Sequence, residues 1–117
     1  MMEWEVSERR FVVPLDIQEA FGMPSVAVRV PGSIDGKIAF RHSDIVEDSL
    51  RLDSLIERCE AIRQNHECWK LYAPVRADGN RLMVVIGADE TGSWNLISMY
   101  LVRQRNWQNR TLVKRER

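Results

Sequence analysis

The chain has 117 residues, a length that suits one compact domain better than two. Its 44% hydrophobic and 29% charged residues are typical of a globular protein and exclude a disordered or fibrous chain. The formal net charge is zero, and no apolar run approaches the ~18 residues of a membrane span. From the acidic residues at 3 and 5 we expect no secretory signal. We therefore expect a cytoplasmic protein that has no contact with membranes.

The first part of the chain alternates between strand patterns and helix patterns. Apolar runs, strict alternation and turn residues predict strands over 3–13, 25–30 and 37–42, with a short helix over 17–21 that Gly22 ends. A second short helix is predicted over residues 43–50.

The middle of the chain predicts a longer helix and the end predicts a meander. Leu55, Ile56, Cys59 and Ile62 recur at three- and four-residue spacing, which is typical of one face of a helix ending near Asn65. We expect this face to pack on the sheet that contains Val84, Ile86, Ile97 and Met99. Three strands follow over residues 69–75, 81–87 and 94–102, joined by turns at 78–80 and 89–93.

The predicted order of elements is β-α-β-β-α-α-β-β-β. This order indicates an α+β fold, in which helices pack on a mostly antiparallel sheet that ends in a C-terminal three-strand meander. Residues 1–103 are expected to form the single compact domain, and residues 104–117 a basic C-terminal tail.

Charge is distributed unevenly along the chain. Residues 1–60 carry 7 Lys and Arg against 12 Asp and Glu, whereas residues 61–117 carry 10 against 5. Arginine accounts for 14 of the 17 basic residues, and its planar guanidinium suits bidentate contacts with phosphate. The sequence therefore favours a phosphate-bearing partner, with a solvated tail as the alternative. The expected nucleic-acid contacts in the tail are Arg105, Arg110, Lys114 and Arg115.

Motifs for metals and cofactors are missing from the sequence. The chain has no phosphate-binding glycine loop and no zinc-protease or paired-cysteine motif. Cys59, His66 and Cys68 lie close in sequence, but their spacing offers no fourth ligand. We expect no metal and no other cofactor.

Two segments contain candidate catalytic residues. Arg41 and His42 stand where a predicted strand meets a helix, and a histidine can exchange protons near neutral pH. The alternative is that His42 ends the strand and bonds a backbone group. On the last strand, alternation places Leu96, Ser98, Tyr100 and Val102 on one face and Ile97, Met99, Leu101 and Arg103 on the other. Ser98 and Tyr100 then point together toward the open face of the sheet, where they could be ordinary solvent-facing residues or donors to a phosphodiester.

Residues 37–103 resemble the barnase–EndoU–colicin–RelE-like ribonuclease superfamily. The resemblance lies in the segment from Ile38 to His42, the leucine-rich helical stretch after it, and the three strands that end in Leu96-Ile97-Ser98-Met99-Tyr100. It implies a small, metal-independent ribonuclease of toxin or mobile-element type, in which the RNA 2′-hydroxyl is the nucleophile. It also implies a cognate antitoxin or immunity protein. The implied roles are general acid or base for His42, phosphate contacts for Arg41 and Arg103, and transition-state donors for Ser98 and Tyr100.

A second resemblance involves the N-terminal part of the chain. Residues 9–30 are similar to the AbrB-type swapped-hairpin DNA-binding element, in which a strand ends at a proline and a one-turn helix leads to a second strand. This resemblance implies a non-enzymatic alternative, a dimeric module that binds DNA or a protein partner. Exposure of Trp4, Trp94 or Trp107 would favour such a binding surface.

Overall fold

A computed structural model describes residues 9–21, 27–32, 34, 50–65, 68–108, 110 and 112–115. This part of the chain forms a mixed seven-stranded sheet with three short helices, so the expected α+β class is confirmed. The strands are β1 (Arg9–Val12), β2 (Ala27–Val30), β3 (Ala61–Asn65), β4 (Cys68–Tyr72), β5 (Arg81–Ala88), β6 (Trp94–Val102) and β7 (Val113–Lys114). The helices are α1 (Leu15–Phe21), α2 (Leu52–Glu57) and α3 (Gln104–Trp107).

The strands lie in the order β1-β2-β6-β5-β4-β3-β7. Strands β3 to β6 follow one another in sequence and pair antiparallel, and β1 pairs antiparallel with β2. The antiparallel pair β1–β2 joins the rest of the sheet through a parallel contact of β2 with β6, at Arg29 and Asn95. Among the described strands, β1 and β7 form the two edges.

The main core lies on the sheet face that α1 and α2 cover. Ile17 of α1 and Leu55 and Ile56 of α2 are buried there against apolar side chains from the strands. Leu55, Ile56 and Cys59 share one buried cluster with Val84, Ile86 and Met99, as expected, but Ile62 of the predicted helix face belongs to strand β3 of the sheet itself. We call this side of the sheet the helical face.

The helix predicted to end near Asn65 is shorter than expected. It ends at Glu57, and residues 61–65 instead form β3, which pairs with β4 over five residues. Ile62 is buried on the helical face, and it lies three residues after Cys59. Helical spacing and strand alternation therefore predict the same burial for Ile62, and the interstrand hydrogen bonds to β4 decide between them.

A β-bulge in β6 changes the alternation that the sequence predicted. Val85 pairs with Ser98 and Ile86 pairs with Leu96, which leaves Ile97 as an extra residue. Leu96 and Met99 are consequently both buried in the main core, whereas Ile97 is 42% exposed. The predictions that Leu96 shares a face with Ser98 and that Ile97 packs under the helices are both wrong, because the bulge reverses the pleat between them.

A second, smaller core occupies the opposite face of the sheet. It consists of Tyr72, Met83, Val85 and Val102, with Trp107 and Leu112 packed against it. Trp107 Nε1 donates a hydrogen bond to the Gly79 carbonyl at 2.9 Å, which fixes α3 on the β4–β5 turn. The C-terminal residues, expected as a basic tail, thus contribute α3 and β7 to the packing of the sheet.

Two expected elements, the strand over residues 37–42 and the short helix over 43–50, lie outside the described residues except for Leu50. Within the described ranges, no helix is long and apolar enough to cross a membrane.

Candidate nucleic-acid interface

The sequence-predicted site residues are described in part. Arg41 and His42 lie outside the described residues. Ser98 and Tyr100 lie on β6, on the face opposite the helical face, and both are partly exposed. Arg103 follows the end of β6 as the exposed N-cap of α3. The structure therefore brings Ser98 and Tyr100 together on one surface.

Strand register shows which residues share this surface. In an antiparallel pair, residues directly opposite each other project from the same side of the sheet. Strands β2 and β6 are parallel, but the hydrogen bond between the side chains of Arg29 and Asn95 shows that these two residues also project from one side. One row across the sheet comprises Arg10, Arg29, Asn95, Gly87 and Cys68. The next row comprises Ser98, Val85, Lys70 and Arg63. A third row comprises Tyr100, Met83, Tyr72 and, past Ala61, Lys114. Tyr72, Met83 and Val85 of these rows are buried in the second core, and we call the exposed side chains around them the basic face.

The basic face has a strong positive bias. None of the seven described strands contains an aspartate or a glutamate. Acidic residues of the described part lie instead on helices and connections: Asp16, Glu19, Asp53, Glu57, Glu60, Asp78, Asp89 and Glu90. Within the described residues, cations therefore lie on the strands of this surface, and the acidic side chains lie outside the strands. Such a surface attracts polyanions.

Arg29 is oriented through the β5–β6 turn. Its Nε donates to Asn95 Oδ1 at 3.0 Å, and Asn95 Nδ2 donates to Asp89 Oδ2 at 3.1 Å. The other Asp89 oxygen accepts bonds from Thr91 N, Thr91 Oγ1 and Ser93 N. These bonds, led by the Thr91 hydroxyl, lower the pKa of Asp89 to about 2. A charged Asp89 therefore fixes the turn and the amide that holds Arg29.

Arg63 lies near a buried tyrosine, Tyr72. Tyr72 is only 2% exposed, and burial raises the pKa of its phenol although the nearby Arg63 guanidinium acts in the other direction. The phenol is consequently neutral at neutral pH, and the Arg63 guanidinium lies near it. Tyr100, on the same row as Tyr72, is partly exposed, so its ring is the one that a ligand on this surface can contact.

Arg81, the first residue of β5, contacts β4, the residue after β4 and α3. It is 5% exposed, its Nε donates to the Ala73 carbonyl at 2.8 Å, and its guanidinium lies over the rings of Trp107 and Tyr72 at 4.9 and 5.7 Å. Burial lowers the pKa of Arg81, an effect that Glu60, 4.0 Å from Arg81 Nη2, opposes. Its contacts attach α3 to the sheet through cation–π interactions.

Arg115, an expected phosphate contact, is engaged within the protein. Its Nε and Nη2 donate to Asp16 at 2.6 and 2.8 Å, and its Nη1 donates to the Glu57 and Cys59 carbonyls at 2.7 and 3.2 Å. These bonds occupy the donors that a phosphate needs. The other expected tail contacts, Arg105, Arg110 and Lys114, are exposed, and Lys114 lies on the basic face.

The tryptophans that the structure describes give little apolar surface for a partner. Trp94 is 5% exposed and lies against Trp69, with ring centroids 4.7 Å apart, while Trp107 is partly buried in the second core. Trp4 lies outside the described residues.

Four cations of the basic face were not identified from the sequence: Arg10, Arg29, Lys70 and Arg63. The signal that could have found them is the lack of acidic residues in the strand segments. The sequence alone does not show this signal, because the predicted strand over residues 3–13 contains Glu3, Glu5 and Glu8, and residues 61–65 are predicted as part of a helix.

Searches of known protein families, characterised proteins and solved structures find no match to this chain.

Proposed function

We propose that this protein is a small metal-independent ribonuclease that holds RNA on its basic face. The observation that carries the proposal is the gathering of Arg10, Arg29, Lys70 and Arg63 on one sheet surface, beside Ser98 and Tyr100. Arginine and lysine side chains bind phosphates, and an exposed tyrosine ring offers a stacking surface for a base. Four consecutive antiparallel strands, with helices on the other face, also accord with the ribonuclease superfamily that residues 37–103 resemble.

The proposed reaction needs no group other than the RNA, the protein and water. His42 removes the proton from the ribose 2′-hydroxyl, and the resulting oxygen attacks the adjacent phosphorus. The bond from phosphorus to the 5′-oxygen breaks, that oxygen takes up a proton from water, and His42 returns its own proton to the solvent. The products are a 2′,3′-cyclic phosphate and a 5′-hydroxyl end. Ser98 and Tyr100 donate hydrogen bonds to the pentavalent phosphate, and Arg41 and Arg103 offset its charge.

The proposal implies a cytoplasmic setting of toxin or mobile-element type and an inhibitory partner. A cognate antitoxin or immunity protein that blocks this site needs an acidic surface, because it has to cover the cations of the basic face.

A non-enzymatic module that binds DNA or a protein is the alternative. It is favoured by one observation, the position of Arg10 and Arg29 on β1 and β2. These strands belong to the segment, residues 9–30, that is similar to the AbrB-type element. In this alternative the basic face binds a polyanion and no bond is broken.

The deciding experiment uses end-labelled single-stranded RNA and purified protein in EDTA at neutral pH. We expect cleavage, a 2′,3′-cyclic phosphate on the upstream fragment, and no cleavage of DNA of the same sequence. Arg63→Gln with Lys70→Gln should weaken RNA binding, whereas Arg51→Gln with Arg58→Gln removes the same charge at the two exposed residues that flank α2 and should not. RNA that stays intact while bound would leave only the binding module.

A further inference from the structure

A cavity of about 300 Å³ lies between strand β1 and the residues that lead into α2. Residues 10 and 11 line it from β1, Val30 lines it from β2, and residues 50–53 line it from the start of α2. Its volume is at the small end of the range for ligand pockets, which is about 300–1,000 Å³. The cavity therefore suits a small molecule.

One wall of the cavity is apolar. Phe11, Val30 and Leu52 belong to the main core and are 2%, 1% and 3% exposed. Leu50 lines the same cavity but is 66% exposed, so a bound apolar group would also cover a leucine that now faces water. Because removing apolar surface from water is favourable, this wall selects a ligand that has an apolar part.

Charged residues of both signs also line the cavity. They are Arg10, Arg51 and Asp53, and all three are exposed. Among the residues that the structure describes, none of these three side chains makes a hydrogen bond or an ion pair. Arg51 and Asp53 are only two positions apart and still do not pair with each other. Their charges are consequently available to a ligand.

The mixture of charges indicates the chemical class of the ligand. The two arginines attract a simple anion but Asp53 repels it, and a simple cation meets the reverse. A molecule that carries a carboxylate and an ammonium group on one carbon can satisfy both signs. An α-amino acid with an apolar side chain combines these two charges with the apolar part that the wall selects.

We propose that this cavity is a binding site for a free α-amino acid with an apolar side chain. Arg51 binds the carboxylate, Asp53 binds the ammonium group, and the side chain packs on the apolar wall. Arg10 adds positive charge beside the carboxylate and also belongs to the basic face, so the test relies on Arg51 and Asp53. This site goes beyond the proposed function and does not depend on it.

The test is isothermal titration calorimetry of the full chain with L-leucine at neutral pH, with L-valine, L-isoleucine and L-phenylalanine in parallel. We expect the best of the four to bind with a Kd on the order of 10–1,000 μM, as suits a ligand of so few atoms. Three analogues of leucine each lack one feature: isocaproate lacks the ammonium group, leucinamide lacks the carboxylate, and glycine lacks the apolar side chain. Each should bind about tenfold more weakly than leucine, or worse.

Two single variants assign the charged contacts. Arg51→Gln should weaken leucine binding by about tenfold and reduce the difference between leucine and leucinamide. Asp53→Asn should weaken leucine binding to a similar extent and reduce the difference between leucine and isocaproate. The matched controls, Arg58→Gln and Glu90→Gln, remove the same charges at exposed positions elsewhere and should leave the Kd unchanged. Thermal unfolding verifies that each variant is folded.

The outcomes are independent of RNA cleavage, which this experiment does not measure. If none of the four amino acids binds at about 10 mM, the proposal is overturned even if the protein cleaves RNA. If isocaproate or N-acetyl-leucine binds as tightly as leucine, the site takes carboxylates in general and the amino-acid assignment is wrong. If Arg58→Gln weakens binding as much as Arg51→Gln does, the ligand does not occupy this cavity.

Discussion

Arg115 and Asp16 form a bidentate ion pair between positions 99 residues apart in sequence, with N–O distances of 2.6 and 2.8 Å. The same guanidinium also donates to the carbonyls of Glu57, the last residue of α2, and of Cys59, just after it. The arginine side chain is only 6% exposed, so one side chain connects α1, the end of α2 and the C-terminal strand. Cations near the last carbonyls of a helix also stabilise the helix end.

We expect Arg115→Met to lower the free energy of unfolding by about 2 kcal/mol, since methionine keeps the apolar length but loses the charged hydrogen bonds. Asp16→Asn should cost about 1 kcal/mol, because this carboxylate is 44% exposed and solvent weakens the pair. Urea titrations of both single variants and the double variant give the coupling energy. Costs that simply add would show that the two side chains do not interact in solution.

The buried helix–sheet contact can be tested with two isoleucines. Ile56 is 1% exposed in the main core, whereas Ile97 is the bulge residue and is 42% exposed. Ile56→Ala should lower the free energy of unfolding by about 2–5 kcal/mol, and Ile97→Ala by less than about 1 kcal/mol. Denaturant titrations at equal protein concentration measure both. Equal losses would place Ile97 in the core and contradict the bulge.

The β5–β6 turn should make stability depend on pH through Asp89. Its pKa in the folded protein is about 2, below the ordinary value of 3.8, so the unfolded chain binds the proton more tightly. The stabilisation is therefore complete above about pH 4 and is lost as the pH falls through about 2. The stability difference between wild type and Asp89→Asn should shrink over this range.

Thr91→Val should raise the pKa of Asp89 toward 3.8, as seen in an NMR titration, because the Thr91 hydroxyl is its main partner. An unchanged titration would contradict this assignment.

The proposed chemistry makes different demands on two residues of this chain. His42→Ala should reduce the rate of RNA cleavage by roughly 10²–10⁴-fold, the range for loss of a general acid or base. Tyr100→Phe should reduce it by roughly 10²–10³-fold, if its hydroxyl stabilises the pentavalent phosphate. Single-turnover rates and RNA affinity should be measured together, with His66→Ala as the control because it removes the other histidine. Equal rates for His42→Ala and wild type would exclude His42 as the proton-transfer group.

The amino-acid sequence by itself determined the elements whose signals are local. Alternation and glycine-containing turns located β5 and β6, and Gly79 and Gly92 indeed occupy turns with φ of +86°. The spacing of apolar residues also identified most of the main core, because burial of a side chain such as Ile56 follows from its position relative to its neighbours.

Tertiary structure decided everything that depends on partners far away in the chain. Residues 61–65 form a strand because they pair with β4, and Ile97 is a bulge residue because of the register between β5 and β6. Arg115 is not available as the expected phosphate contact because it bonds Asp16, and no local sequence pattern connects these two residues. The basic face likewise combines cations from β1, β2, β3 and β4, and only the order of strands in the sheet brings their like charges onto one surface.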